Sequence, residues 1–381
     1  MDINKKSLQM HAKNRGKIEI CSKIKLKTSD DLALAYTPGV AEVSRQIAKD
    51  KKLIKKYTNV GNTIAIITDG SAVLGLGNIG PEAAMPVMEG KAILFKELAG
   101  VDAYPLCLAS QDTQSIIKVV ELLAPSFSGI NLEDISAPRC FEIERQLIEK
   151  LNIPVIHDDQ HGTAIVVLAG LINALKVAKK KLPDCYIVIN GAGAAGVAIT
   201  KLLLSAGLKN FSILDSKGTI SSRRTDLNED KKALAKFAKK IETDLSGAIK
   251  GADVFIGVSQ PNLLTKSMVQ SMNDKAIIFA MANPIPEIMP DQALLAGALV
   301  AATGRSDFPN QINNALVFPG LFRGLLDSGA RKVTTEMKLA TAQAIAKCVK
   351  QPTSKNIIPK VLDKKVPKVI AQVIKKMVTN V

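Results

Sequence analysis

The chain has no tryptophan, four tyrosines and an aromatic content of only 4%, so it offers few flat rings on which bases could stack. That scarcity bears on its net charge of +16, which would otherwise suggest a nucleic-acid partner. Much of the charge lies at the ends: residues 350–381 hold eight lysines against one acid, and residues 1–27 hold eight Lys or Arg against two acids. Without aromatic-basic interleaving, lysine-rich stretches of this kind are solvated faces, and a positive field serves better to attract small anions. No CxxC spacing occurs among Cys21, Cys107, Cys140, Cys185 and Cys348, which argues against a thiolate zinc site and a disulfide framework and for a reduced environment. No uncharged apolar run reaches the length of a membrane span, and the amino terminus lacks a signal-peptide core; the expectation is a cytoplasmic protein with no membrane partner. Internal repeats and low-complexity segments are missing as well.

What is present is a chain of 381 residues, long enough for two domains, with 47% hydrophobic residues to build their cores. Ile153 to Thr163, IPVIHDDQHGT, runs from a short β-branched strand into two adjacent acids, Asp158 and Asp159, two imidazoles and a glycine. Upstream, GINLEDI delivers Glu133 and Asp134 in the same way. Carboxyls arriving together at strand ends suit a hard divalent ion such as Mg²⁺ or Mn²⁺. Each pair taken singly reads more readily as loop acids or helix N-caps than as ligands, and the two together favour ligands. Strand and helix patterns alternate from Thr63 onward, which predicts an α/β fold with a largely parallel sheet whose ligands bind beyond the carboxyl ends of the strands.

A helix expected over Ala83–Leu98 places Lys91 on its apolar face. Desolvation there lowers an ammonium pKa toward that of a general base, unless the side chain snorkels to solvent. Tyr36 sits at the corner formed by Thr37-Pro38-Gly39, where proline and glycine stop an apolar run. Gly75, Gly77 and Gly80 match GxGxxG without the required context and read as a tight loop feeding the helix. By contrast, CYIVIN leads directly into Gly191-Ala192-Gly193-Ala194-Ala195-Gly196, a helix follows, and the next strand ends at Asp215. That is the dinucleotide fingerprint in full context, with Asp215 placed to accept from a ribose 2′-hydroxyl and so to favour NAD, although Lys217, Arg223 and Arg224 could meet the 2′-phosphate of NADP. Strands expected at 254–258, 276–281 and 299–302 continue the sheet, Asn283 closes the second, and Asn313 and Asn314 precede ALVFPG. An amphipathic helix over Val366–Met377 is expected to pack on the body or on a partner.

YTPGV, TDGSAVLGLGNIGP, MEGK, NLEDI, HDDQHGTA, GAGAAG, ANP and NNALVFPG stand in the order and spacing of the malic enzymes, and the chain resembles their small bacterial form from about residue 11 to beyond 325. The resemblance implies an N-terminal α/β substrate and metal domain, residues 1–160, followed by a doubly wound Rossmann domain with C-terminal helices, residues 161–381. It implies oxidative decarboxylation of L-malate to pyruvate and CO₂ with NAD or NADP, and decarboxylation of oxaloacetate. By motif position Glu133, Asp134 and Asp159 are then metal ligands, Lys91 the base with Asp158 supporting it, and Tyr36 the acid. Asn283, Asn313 and Asn314 resemble positions touching malate and the nicotinamide, and a homodimer or dimer of dimers is implied. One departure is Ala72, which stands where larger animal forms carry a carboxylate-gripping arginine. The rival readings are a hydroxy-acid or amino-acid dehydrogenase that stops at hydride transfer, and a basic nucleotide- or RNA-binding protein.

Overall fold

A computed structural model describes residues 2–73, 75–239 and 242–379. Two sheets carry the architecture. The first is four-stranded, β1 (Thr63–Thr68), β2 (Asp102–Cys107), β3 (Ile130–Leu132) and β4 (Val155–His157), in the order β2-β1-β3-β4 with every pair parallel. β1 reads TIAIIT and is buried along its whole length, as a central strand covered on both faces must be. The register sets Ile67 beside Leu132 and Leu132 beside His157, so the residues that follow β3 and β4 emerge next to one another at the carboxyl edge.

The second sheet contains β5 (Tyr186–Asn190), β6 (Asn210–Asp215), β7 (Gly218–Thr219), β8 (Val254–Gly257), β9 (Ile277–Ala280) and β10 (Val300–Thr303). Its order is β10-β9-β8-β5-β6-β7, parallel except for the short β6-β7 pair. The order reverses at β5, and the crevice beyond that switch point is where a doubly wound sheet binds its ligand.

Helix Asp158–Ala178 leaves β4 and runs between the two halves with fifteen of its residues buried. Asp158 and Asp159 form its first turn, where carboxylates favour the positive end of the helix dipole. By length and composition this helix could cross a membrane, against the sequence expectation that no run is long enough; 72% of that window is buried inside the protein, where it supplies core shared by both sheets. Its Asn173 is fully buried and donates to the carbonyls of Ala346 and Ile357, both at 2.9 Å.

Helix Lys365–Thr379 packs back on the body, burying Val366, Ile370 and Ile374 against helix Phe318–Ser328. The contact requires glycine: a Cβ at Gly324 would lie 2.7 Å from Ile374 Cβ, and one at Gly320 2.7 Å from Pro367 Cα. The first fifty residues behave differently. Helices Ile3–Asn14, Ser29–Ala35 and Val40–Lys49 bury no residue at all.

Candidate active site

At the carboxyl edge of the first sheet the structure gathers Lys91, Glu133, Asp134, Asp158 and Asp159. Helix Gly80–Ala99 buries Ala84, Met88, Lys91, Ala92, Phe95 and Leu98, so Lys91 occupies the apolar face the sequence indicated. Its Nζ lies 2.7 Å from both Glu133 Oε1 and Asp158 Oδ2 and 4.2 Å from the centre of the Phe318 ring. Gly162, one turn on from Asp158, makes room for this: a Cβ there would fall 1.8 Å from Asp158 Oδ1 and 3.2 Å from Asn314 Cβ. Asn314 therefore lies against the same turn, whereas the Asn313 side chain caps the backbone N–H of Ala315 at 2.9 Å and acts as a turn former.

Glu133, Asp134 and Asp159 each offer an oxygen, and these oxygens lie within 4.8 Å of one another. Asp134 takes a left-handed backbone, φ 53°, and its N–H donates to Asp159 Oδ2 at 2.8 Å, which locks the two strand-end loops together. The loop after β1 closes over them. Ala72 N–H donates to the Asp134 carbonyl, and buried Asp69 pairs with Arg139 at 3.0 Å, while Ser71 joins Asp69 and Ser136.

Three buried carboxyls and the half-buried Asp159 here share one ammonium. Burial pushes Asp134 up to about 9, reinforced by Asp159 and Glu133, and pushes Glu133 to about 7 against the pull of Lys91. Asp158 and Asp159 rise to about 6 for the same first reason. Such an all-oxygen group with excess negative charge fits a hard divalent cation. For Lys91 the sequence expectation fails in sign. Burial alone lowers an ammonium, but the carboxylates of Asp158, Glu133 and Asp159 outweigh it and hold Lys91 above its ordinary value.

The second half supplies a cavity of about 810 Å³ lined by Asn190, Gly191, Gly193, Asp215 and Lys231, with Ala137 and Pro138 reaching in from the first. The fingerprint glycines divide the work. A Cβ at Gly191 would meet the Val258 carbonyl at 2.6 Å, one at Gly196 the Gly191 carbonyl at 1.7 Å, and one at Gly193 nothing within 4 Å. Gly193 thus opens on the cavity at the start of helix Ala194–Ser205, where a pyrophosphate is held by helix N–H groups. Ala192, Ala194 and Ala195 complete the turn.

Asp215 does not stand free as the sequence reading assumed. Its Oδ1 accepts from Lys217 N at 3.0 Å and Arg224 Nη1 at 2.7 Å; its Oδ2 accepts from Arg224 Nη2 at 3.1 Å and Lys231 Nζ at 2.7 Å. Those contacts outweigh burial and hold it down at about 2. A carboxylate has about four acceptor positions, and all are taken, so a ribose hydroxyl has none without displacing a partner.

Asn283 stands at the end of β9, against Gly304, where a Cβ would lie 2.9 Å from its Nδ2. The turn it makes with Pro284 meets the first half, since a Cβ at Gly75 would be 2.7 Å from the Asn283 carbonyl. Gly75, Gly77 and Gly80 all have φ between 75° and 80°, as a tight loop feeding a helix requires. Tyr36 lies outside the cluster: it caps helix Ser29–Ala35 and is 66% exposed.

Sequence reasoning missed four roles. Arg224 and Lys231 as partners of Asp215 are two of them. Glu287 is the third, fully buried and accepting the N–H groups of Ser259 and Ala282 at 3.0 Å each, which ties the loops after β8 and β9. The fourth is Glu144, buried beneath the turn that bears Asp158 and Asp159.

Comparison with known proteins gives a consistent picture. Residues 14–148 match the family described as malic enzyme, N-terminal domain, and residues 160–379 match malic enzyme, NAD binding domain. The bifunctional malic/malolactic enzyme of Bacillus subtilis is 52% identical over 381 residues, covering 99% of this chain and 93% of the relative. The NADP-dependent malic enzyme of Halomonas elongata is 49% identical, covering 92% and 84%. Among solved structures, the NAD-dependent malic enzyme of Thermotoga maritima has a TM-score of 0.94 at 47% identity, covering 97% of this chain and 98% of that one.

Proposed function

The chain belongs to the malic enzyme family, and from that premise we propose that it oxidatively decarboxylates L-malate to pyruvate and CO₂ with a nicotinamide cofactor, and decarboxylates oxaloacetate at the same site. One observation carries the reading: Lys91 Nζ, clasped at 2.7 Å by Asp158 and Glu133, stands among acids whose oxygens converge within 4.8 Å. Glu133, Asp134 and Asp159 hold Mg²⁺ or Mn²⁺. The chemistry that ion supplies when bound is Lewis acidity at the C2 oxygen and a positive charge that offsets the carboxylates around Lys91.

Lys91, as the neutral amine, takes the C2 hydroxyl proton while hydride leaves C2 for the nicotinamide, giving oxaloacetate. Asp158 orients the amine, and Asn314, which lies against the same turn, positions substrate. The closed cluster excludes water while CO₂ leaves. Tyr36 then donates its phenolic proton to C3 of the enolate. With Tyr36 so exposed in one chain, its task needs cover. Leu32, Leu34 and Tyr36 are 50%, 79% and 66% exposed on an arm that buries nothing, which supports a homodimer or dimer of dimers closing over it. We divide the chain at 160/161 into a substrate and metal half and a cofactor half.

NAD⁺ remains the better cofactor but by a narrow margin, because a 2′-phosphate must compete with Asp215 and Asp226 for Arg224, while Lys217 and Lys231 add attraction. The protein is read as cytoplasmic, with five free cysteines. The deciding test is malate turnover with Mn²⁺. CO₂ must appear in step with reduced cofactor; reduced cofactor without CO₂ would leave a dehydrogenase that stops at hydride transfer. Tyr36→Phe should slow deuterium exchange into the pyruvate methyl group, and exchange at the parent rate removes Tyr36 as the acid.

A further inference from the structure

Glu144 lies on helix Arg139–Lys150 and is 6% exposed, a carboxylate far from water with no place in the reaction above. Its Oε1 accepts the backbone N–H of His157 at 2.7 Å, and its Oε2 pairs with His161 Nε2 at 2.9 Å. Between those two contacts lie Asp158 and Asp159, so one carboxylate brackets the turn that presents both acids. His161 has a second partner: Lys338 Nζ, on helix Thr335–Lys347, lies 2.9 Å from His161 Nδ1 and 3.4 Å from its Nε2. An ammonium only donates, so Nδ1 is the acceptor and Nε2 carries the hydrogen given to Glu144. The result is a three-residue chain, Lys338 to His161 to Glu144, anchored on a helix of the first half and a helix of the second.

Helix Asp158–Ala178 has no side-chain cap of its own at His157. Glu144 supplies from a neighbouring helix the acceptor that an N3 glutamate supplies in a capping box. Asp159 stands at the open side of this turn, its side chain 31% exposed, its Oδ2 accepting the Asp134 N–H at 2.8 Å and lying 3.8 Å from His157 Nδ1.

We propose that Glu144, His161 and Lys338 are positioning residues that fix the turn bearing Asp158 and Asp159 in the geometry that binds the divalent cation. The proposal rests on the metal reading given above. It needs no proton movement, only a donor at residue 161 for Glu144 and an acceptor for Lys338, and that requirement makes it testable.

Mn²⁺ binding to the purified full-length protein is followed by electron paramagnetic resonance of the free ion, with cofactor binding measured separately. Glu144→Gln sets an amide NH₂ against His161 Nε2–H and satisfies one of its two donors at most, so the Mn²⁺ Kd should rise about 10- to 100-fold, the usual effect of removing a group that orients metal ligands. Cofactor affinity should stay within about twofold, since the fingerprint loop is untouched. His161→Gln offers an amide N–H toward Glu144 and a carbonyl toward Lys338, and should keep the Kd within about threefold of the parent; His161→Leu offers neither and should behave like Glu144→Gln. Lys338→Met should give an intermediate rise and serves where Glu144→Gln does not fold. Glu144→Gln or His161→Leu binding Mn²⁺ as tightly as the parent, while Asp159→Asn has lost it, overturns the proposal and leaves the metal site standing. An Asp159→Asn variant that binds Mn²⁺ like the parent overturns both.

Discussion

Two charged clusters in this molecule are built from the same residue types with opposite imbalance. Around Lys91, four carboxyls surround one ammonium in a buried pocket; around Asp215, the cations Arg224, Lys231 and Lys217 face Asp215 and Asp226 at a half-open rim. The first is short of positive charge and the second has one cation to spare. A divalent ion would complete the former, and the phosphates of a nucleotide would suit the latter. Both clusters move a carboxylate pKa, in opposite directions: burial dominates at Asp134, pushed up to about 9, and hydrogen-bonded cations dominate at Asp215, held at about 2.

Breaking the first cluster should have the largest consequence. Chelation with EDTA, or Asp159→Ala, should lower malate turnover by about a thousandfold or more, with Mn²⁺ restoring the chelated protein and not the variant. Circular dichroism should show the fold retained. Lys91→Ala should cost about a hundredfold or more in kcat, the usual worth of a positioned base, and leave cofactor binding intact. Gly162→Ala is a finer probe, since its methyl needs the space that Asp158 Oδ1 occupies. Turning that carboxylate, whose other oxygen holds Lys91 at 2.7 Å, should lower kcat/KM on the order of tenfold.

The second cluster sharpens the contrast through selectivity. Arg224→Ala removes a cation that a 2′-phosphate could share and frees the Asp215 oxygens for a 2′-hydroxyl. The ratio of kcat/KM for NADP⁺ over that for NAD⁺ should fall about tenfold, and a ratio that stays put or rises would show that the guanidinium serves only the loop. The smallest effect is on stability. Asp215 has a folded pKa of about 2, below its unfolded value near 3.8, so its contribution is complete above pH ~4 and is lost as pH falls toward 2. The Tm gap between the parent and Asp215→Asn should accordingly be open at pH 5 and closed near pH 2.

The uneven legibility of these clusters has a physical origin. Strand-end acids and a lysine on an apolar face are local patterns, so Glu133, Asp134, Asp158, Asp159 and Lys91 were all visible in the sequence. Their encounter was not, because it depends on the register that sets Leu132 beside His157. Neither was the direction in which Lys91 shifts, since desolvation follows from one helix while the opposing carboxylates come from two other elements. Glu144 carries the same signature as Lys91, a charge flanked on its helix by Cys140, Ile143 and Leu147, all buried, and the test applied to one helix would have found it on the other. Asp215 was placed correctly at the end of its strand but misjudged as free, because Arg224 and Lys231 return to it from nine and sixteen residues on through an irregular segment. Tyr36 was expected at a working site, and its exposure on one chain follows from an arm with nothing of its own to pack against.

Helix Asp158–Ala178 sets a rule for anyone who would build chimeras of this protein with its relatives. A graft joined at the nominal 160/161 boundary would splice the third residue of one parent's helix onto the body of another's, and the acids at its head would inherit a tilt chosen by a foreign core. The natural seam lies after Lys179, whose left-handed φ of 57° ends the helix. Even there the exchange must carry residues 346 and 357 with the helix, because Asn173 is matched to their carbonyls. Cofactor modules in this architecture are therefore interchangeable only where the tail of the chain stays with the parent that supplies the helix.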